Sequence, residues 1–327
     1  MNMEIKRKGL FALAGIATLG WSVCNPAFSA VLAPTQFDQY MLELVNDLRA
    51  NPQGWANDYL SGDLSEGLAP GTLGTNSRQP LAWHSSLFQS AHGHSKDMLD
   101  NDFFGHTGTD GTSPHDRMDN AGYPFTGSWG SGENLAVRGN STFTGVSTET
   151  TKQLVVDLFV DTGIAGRGHR LNLLQDNFEN VGISVQFDSA WGGFSSGTLP
   201  SVIATQDFAY NSEGPYLTGV AYDDSVVDDD FYTPGEGLSG LDVVIKDLSG
   251  NVVGSTTTMD TGGWQLALNS GTYDVYINGQ LAGDDVVLES ANVKVDYVAA
   301  VPLPPAVFLF GGAVLGLAGM RRQGRSE

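Results

Sequence analysis

The spacing of apolar residues changes once along this chain of 327 residues, and that change divides it into two kinds of architecture. From Thr35 to about Asp188 the pattern is mainly helical. Phe37, Tyr40, Met41, Leu44, Val45 and Leu48 return every three or four positions, which is one face of an α-helix. Thr35 is placed to cap it and Asn51-Pro52 to close it. A second helix is expected from Ser85 or Ser86, carrying Leu87, Ala91, His94 and Met98, and a third from about Thr148 to Val160, ended by Gly163. Strand patterns then begin at Val181 and Ser201, separated by the glycine-rich SAWGGFSSGTLPS. Helices bracketing a small antiparallel sheet pack most simply as an α-β-α sandwich. After Tyr210 short alternating runs punctuated by SGN, DTGG and NSG predict a small all-β sandwich of roughly ninety residues. The expected fold class is therefore α+β, with the first domain at 31–212 and the second at 213–299.

The two ends carry address signals rather than fold. Residues 1–30 read as an export signal peptide, with Lys6, Arg7 and Lys8 ahead of an apolar stretch too short for the ~20 residues of a membrane span. The only cysteine, Cys24, lies inside it, which leaves the mature chain no thiol for a disulfide or a thiolate metal site. Residues 300–327 combine VPLP at Val301 to Pro304, an uncharged run from Ala306 to Met320, and Arg321, Arg322 and Arg325. This order resembles the PEP-CTERM sorting signal, which implies a hydrophobic transmembrane helix, recognition by an exosortase-type enzyme and a Gram-negative envelope. A permanent tail anchor is the alternative. The membrane is expected to be touched only through this segment, and a net charge of −21 excludes a nucleic-acid partner, because phosphate binding needs clustered Lys and Arg.

All six histidines fall between His84 and His169. Histidine titrates near neutrality and is the commonest metal ligand, so its confinement to one segment places any site chemistry there. The motifs run HSKDM, FFGHTGTDG, SGENLA, GHRLNLL and VGISV. As an ordered set they resemble the CAP superfamily of cysteine-rich secretory, antigen 5 and pathogenesis-related proteins, in its bacterial type, over about residues 36–210. The resemblance implies an α-β-α sandwich with a cleft lined by two histidines and two acids. Carried over by motif, these are His106, Glu133 and His169. The second acid departs from the family's W-x-x-E pattern, since the helix here reads LVVDLFVDTG; Asp161 is the best match, with Asp157 behind it.

Two readings of those residues stay open on sequence. His106 and His169 supply nitrogen ligands that Zn2+ accepts, beside a carboxylate and an open position for water. Equally, the same groups can hydrogen-bond one another as a structural network that fixes the loops. His94 reads as a core histidine or as the cleft floor, and His115 as exposed. No serine-nucleophile elbow and no H-E-x-x-H are present. In the second domain Asp223, Asp224, Asp228, Asp230 and Glu236 form an acidic loop, in which Ca2+ or plain solvation would relieve repulsion. The expected function is an exported cell-surface or extracellular protein whose cleft binds a ligand or divalent metal, with envelope or matrix components as partners. The alternative is a metal-dependent hydrolase of peptides or esters with Glu133 as base.

Overall fold

The computed structural model describes residues 32–299. The proposed export signal and the sorting segment lie outside them, and among the described residues no helix is long and apolar enough to cross a membrane.

Helix α1 (Gln36–Ala50) begins at a capping box in which Thr35 and Asp38 bond each other's backbone N–H. Asn51-Pro52 closes it as expected, and also opens a helix the apolar pattern did not announce, α2 (Pro52–Tyr59), because Asn51 caps Gly54 and Pro52 sits where its missing N–H costs nothing. There follow β1 (Ala82–Trp83), α3 (Ser85–Asp100), α4 (Pro114–Asn120), β2 (Gly130–Gly139), α5 (Thr148–Val160), α6 (Gly168–Leu173), β3 (Asn180–Phe194) and β4 (Gly197–Tyr210). The glycine-rich stretch expected to separate the last two strands is itself largely strand, and lengthens the hairpin to a turn at Ser195-Ser196.

The sheet order is β1-β3-β4-β2, so β2 is an edge strand held antiparallel to β4 alone. Strand alternation assigns the two faces. Val181, Ile183, Val185, Val202, Ala204 and Phe208 pack with Met41, Leu44 and Leu48 of α1 and Leu154 and Leu158 of α5. On the opposite face Ile203 and Leu135 meet Met98 of α3, and Ala209 meets Leu87. A side chain at Gly182 would collide with the backbone of Leu87 and Phe88, so glycine there sets how closely α3 lies on the sheet. Helices cover both faces, with α1 and α5 on one side and α3 on the other.

The remaining strands are β5 (Tyr216–Tyr222), β6 (Asp242–Asp247), β7 (Val252–Thr257), β8 (Gly263–Ala267), β9 (Gly271–Ile277), β10 (Gln280–Leu288), β11 (Val293–Lys294) and β12 (Tyr297–Val298). One sheet runs β10-β9-β6-β7; in the other, β5 pairs with β8, β11 and β12. Leu217, Val243, Ile245, Trp264, Val275 and Ile277 form the core they share. This β region is keyed to the first. Lys294 reaches Glu43 of α1 at 2.9 Å, and Asn292 bonds Gln79, Pro80 and Glu179.

Candidate functional site

Glu133 projects from β2 toward the α3 side, and its side chain is 1% exposed. Its Oε1 receives His106 Nδ1 at 2.7 Å, and its Oε2 receives Arg117 Nη2 at 2.5 Å. Arg117, on α4, also donates to the carbonyls of His106 and Thr112, so one guanidinium joins helix, histidine turn and edge strand. Burial alone would raise the Glu133 carboxyl. His106, Arg117 and His94 outweigh that and hold it below the usual glutamate range.

Two further groups stand behind this pair. His94 is buried, with Nε2 at 2.9 Å from the Gly105 carbonyl and 4.0 Å from Glu133 Oε1; burial pushes its imidazole below the ordinary value. Asp207 on β4 is the register partner of Glu133 and wholly buried, with the Ser90 hydroxyl and Glu133 itself as its polar neighbours. Burial, with the Glu133 charge beside it, pushes Asp207 well above the usual carboxylate range.

The second histidine has its own acid. Asp161 caps the C-terminus of α5 in the left-handed conformation, φ 55°, which turns its carboxylate onto the start of α6. It accepts from the His169 backbone N–H at 3.0 Å and from His169 Nδ1 at 2.8 Å. Asp157 instead pairs with Arg138 through both oxygens. Arg170, one residue on, turns inward: its guanidinium is buried and donates to the carbonyls of Phe159, Val160, Leu64 and Glu66. Arg167 donates to the Asp161 carbonyl, and Asp176 pairs with Arg78.

Asparagines tie the two pairs together. Asn134, next to Glu133, donates to the His169 carbonyl at 3.2 Å, and Asn172 donates to the Glu133 carbonyl and to Asn134 Oδ1. A side chain at Gly132 would strike Asn172, so glycine there lets α6 lie close against β2. His106–Glu133 and His169–Asp161 are thus two histidine–carboxylate pairs linked through consecutive residues of one edge strand. No hydrogen bond joins one pair directly to the other among the described residues. Each imidazole directs Nδ1 to its acid, and neither Nε2 has a protein partner among the described residues. As a metal site this donor set fits only in an open form. The two Nε2 atoms are available, but the four residues do not gather three ligand atoms within 4.8 Å; among the described residues only Asp274, Asp284 and Asp285 do.

The other expected positions have structural partners. His84 caps α3 by accepting from Ser86 N–H. His115, expected at the surface, is half-buried and stacks on Trp129 at 4.8 Å. In the acidic loop, the Glu236 carboxylate accepts from the N–H groups of Val226, Val227 and Thr233, and that of Asp224 from Asp229 and Asp230. Asp223 receives Ser225 Oγ, while Asp228 and Asp230 are exposed. The loop's two buried acids therefore close the loop on itself. Arg117 and Asp207 were not anticipated.

The sequence signature of the cysteine-rich secretory protein family, CAP, matches residues 42–208, just over half of the chain. The chain belongs to the CAP family. Among curated proteins nothing matches it. Solved structures similar to it include an extracellular SCP-domain protein of Bacillus anthracis, at 20% identity and TM-score 0.32, covering 53% of this chain and 41% of that one. The CAP domain of enterococcal PrgA is similar at 17% identity and TM-score 0.28, over 62% of this chain and 67% of that one. An outer surface protein of Borrelia burgdorferi matches at 16% identity and TM-score 0.27, over 40% and 78%. The chain thus spans less than half of the Bacillus anthracis protein.

Proposed function

We propose that this is an exported CAP protein of the cell surface or extracellular space, which uses the two histidine–carboxylate pairs to bind a ligand or a divalent metal such as Zn2+. One observation carries the reading: both imidazoles are oriented by a carboxylate at Nδ1 and keep Nε2 free of partners among the described residues. That is how a histidine is prepared as a nitrogen donor, with the carboxylate fixing tautomer and ring direction. His106 and His169 would hold the metal, and Glu133 and Asp161 would orient them from behind. A metal held by so few protein donors would supply Lewis acidity toward a bound oxygen ligand.

The binding reading is favoured over the hydrolase because of Glu133. A general base needs a free carboxylate oxygen within reach of the water it activates. Here Oε1 is held by His106 and Oε2 by Arg117. Calcium in the acidic loop is not part of the proposal, since Asp224 and Glu236 are already occupied by backbone N–H groups.

Export rests on the N-terminal signal, and retention at a Gram-negative envelope on the VPLP segment with its arginines, read by an exosortase-type enzyme. The test is the metal content of the purified full chain by mass spectrometry after zinc loading, alongside His106→Ala and His169→Ala. The reading expects bound zinc in the parent and loss in both variants. Zinc absent from all three, with no ligand lost on either substitution, would leave a structural network.

A further inference from the structure

Helix α3 carries two stripes where a surface helix needs only one. Leu87, Phe88, Ala91, Ser95 and Met98 face the sheet or its flanking core. Ser90, Gly93, His94 and Asp97, also spaced by three and four, face a cavity of about 440 Å³ closed on its far side by α4 and by the turn Thr109–Thr112. Ser90 is 5% exposed and lies beside the buried Asp207 carboxyl, whereas His94 is 1% exposed and its Nδ1 has no hydrogen-bond partner among the described residues. An unpartnered buried nitrogen on the wall of a hollow is a group for which a partner is missing. Water can satisfy such groups, but a volume of this size lies in the range of ligand sites.

The lining defines the chemistry of the guest. Ala121 is its one apolar side chain, and the rest of its apolar wall comes from the carbons of polar residues, so a purely aliphatic ligand would leave the buried polar atoms among them unpaired. Asp97 and Asp110 repel an anion. A cation would meet the Arg117 guanidinium in the same wall, and would find Asp97 already accepting from Thr109 N–H, Thr109 Oγ1 and Asn101 Nδ2. What remains is an interleaved set of acceptors and donors: His94 Nδ1, the Ser90 hydroxyl, the one Asp110 oxygen that does not accept from Thr112, and the Asn120 amide. Neighbouring hydroxyl groups, each donor and acceptor at once, match such a set.

We propose that the cavity between α3 and α4 is a binding site for a neutral polyhydroxylated ligand of monosaccharide size. It adjoins the His106–Glu133 pair through His94 and Arg117, which stand in its wall, and does not require a metal at either pair. Gly93 supplies the test, because a Cβ built there meets no atom within 4 Å and its backbone is helical. Methionine at that position projects into the hollow and favours the helix more than glycine does.

The experiment is ligand-observed saturation-transfer NMR and calorimetry on the full chain with three probes, methyl α-glucopyranoside, methyl N-acetyl-β-glucosaminide and myo-inositol, with choline and acetate as charged comparisons. The expected result is binding of at least one hydroxylated probe in preference to both ions, weakened about tenfold or more by Gly93→Met, an amount equal to about 1.4 kcal/mol. Ser90→Ala, which removes one hydroxyl and keeps the space, should weaken it less. Thermal unfolding shows whether each variant is folded. Failure of all three probes at tens of millimolar, undiminished binding in folded Gly93→Met, or preference for choline or acetate would each overturn the proposal. Absence of zinc from the parent protein would end the metal reading and leave these outcomes as informative as before.

Discussion

Glu133 and Asp207 face each other across neighbouring antiparallel strands, and the two carboxyls live in opposite circumstances. Glu133 has a histidine on one oxygen and an arginine on the other, whereas Asp207 has only the Ser90 hydroxyl and Glu133 itself beside it. A buried carboxyl pressed against an ionised one takes up a proton rather than bear a second charge in low dielectric.

Asp207→Asn should therefore stabilise the protein at neutral pH. Because the folded-state value of Asp207 is raised, its contribution is complete below the ordinary aspartate pKa and is lost as pH rises. Removing the group should increase stability by about 1–3 kcal/mol at neutral pH, and less at pH ~5. Urea unfolding of both proteins at the two pH values measures this.

Arg117→Met should be costly. It leaves Glu133 with one fewer partner in a buried position and releases the carbonyls of His106 and Thr112. Breaking one side of such a pair costs about 3–5 kcal/mol. The falling denaturation midpoint should come with loss of the His106 NMR signal position, since the turn that carries His106 loses its tie to α4.

Arg170→Lys should also be poorly tolerated. A fully buried guanidinium here satisfies four backbone carbonyls at once, and an ammonium cannot span them. About 3–5 kcal/mol of stability should go, with faster amide exchange at the end of α5 as the local reading.

His84 should titrate far below the ordinary histidine range. Burial pushes its imidazole down to about 4. Only the neutral ring can accept from Ser86 N–H and cap α3. Since the folded value is depressed, this contribution is whole above pH ~6.5 and is lost as pH falls toward 4. Carbon-detected imidazole NMR checks the pKa, and His84→Asn, which keeps a capping acceptor, should flatten the acid limb of the stability curve.

The helices α1, α3 and α5 were legible because each is long, amphipathic and capped, as the match of α5 to Thr148–Val160 illustrates. His106 and Glu133 were named from their motifs, and the structure sets them in hydrogen-bond contact, with Asn134 beside Glu133 tying β2 to α6. Asp161 needed the structure to separate it from Asp157, because both lie on one helical segment and only a left-handed cap turns one of them back toward His169. Arg117 was hidden in TSPHDRM, a polar helix that reads as solvent-facing, because its bond to Glu133 is made across the fold. Asp207 was hidden because TQDFAY reads as an ordinary strand; that its acid points into the interior depends on the register with β2, which no local pattern encodes.

The account rests on two imidazoles whose Nδ1 is held by a carboxylate and whose Nε2 is free to bind. Nitrogen-15 NMR of the histidine side chains reads this directly. His106 and His169 should both appear as the Nδ1–H tautomer at neutral pH, and Zn2+ should shift the Nε2 resonance of each. Nε2–H tautomers at these two residues, or zinc that leaves both resonances in place, would contradict it.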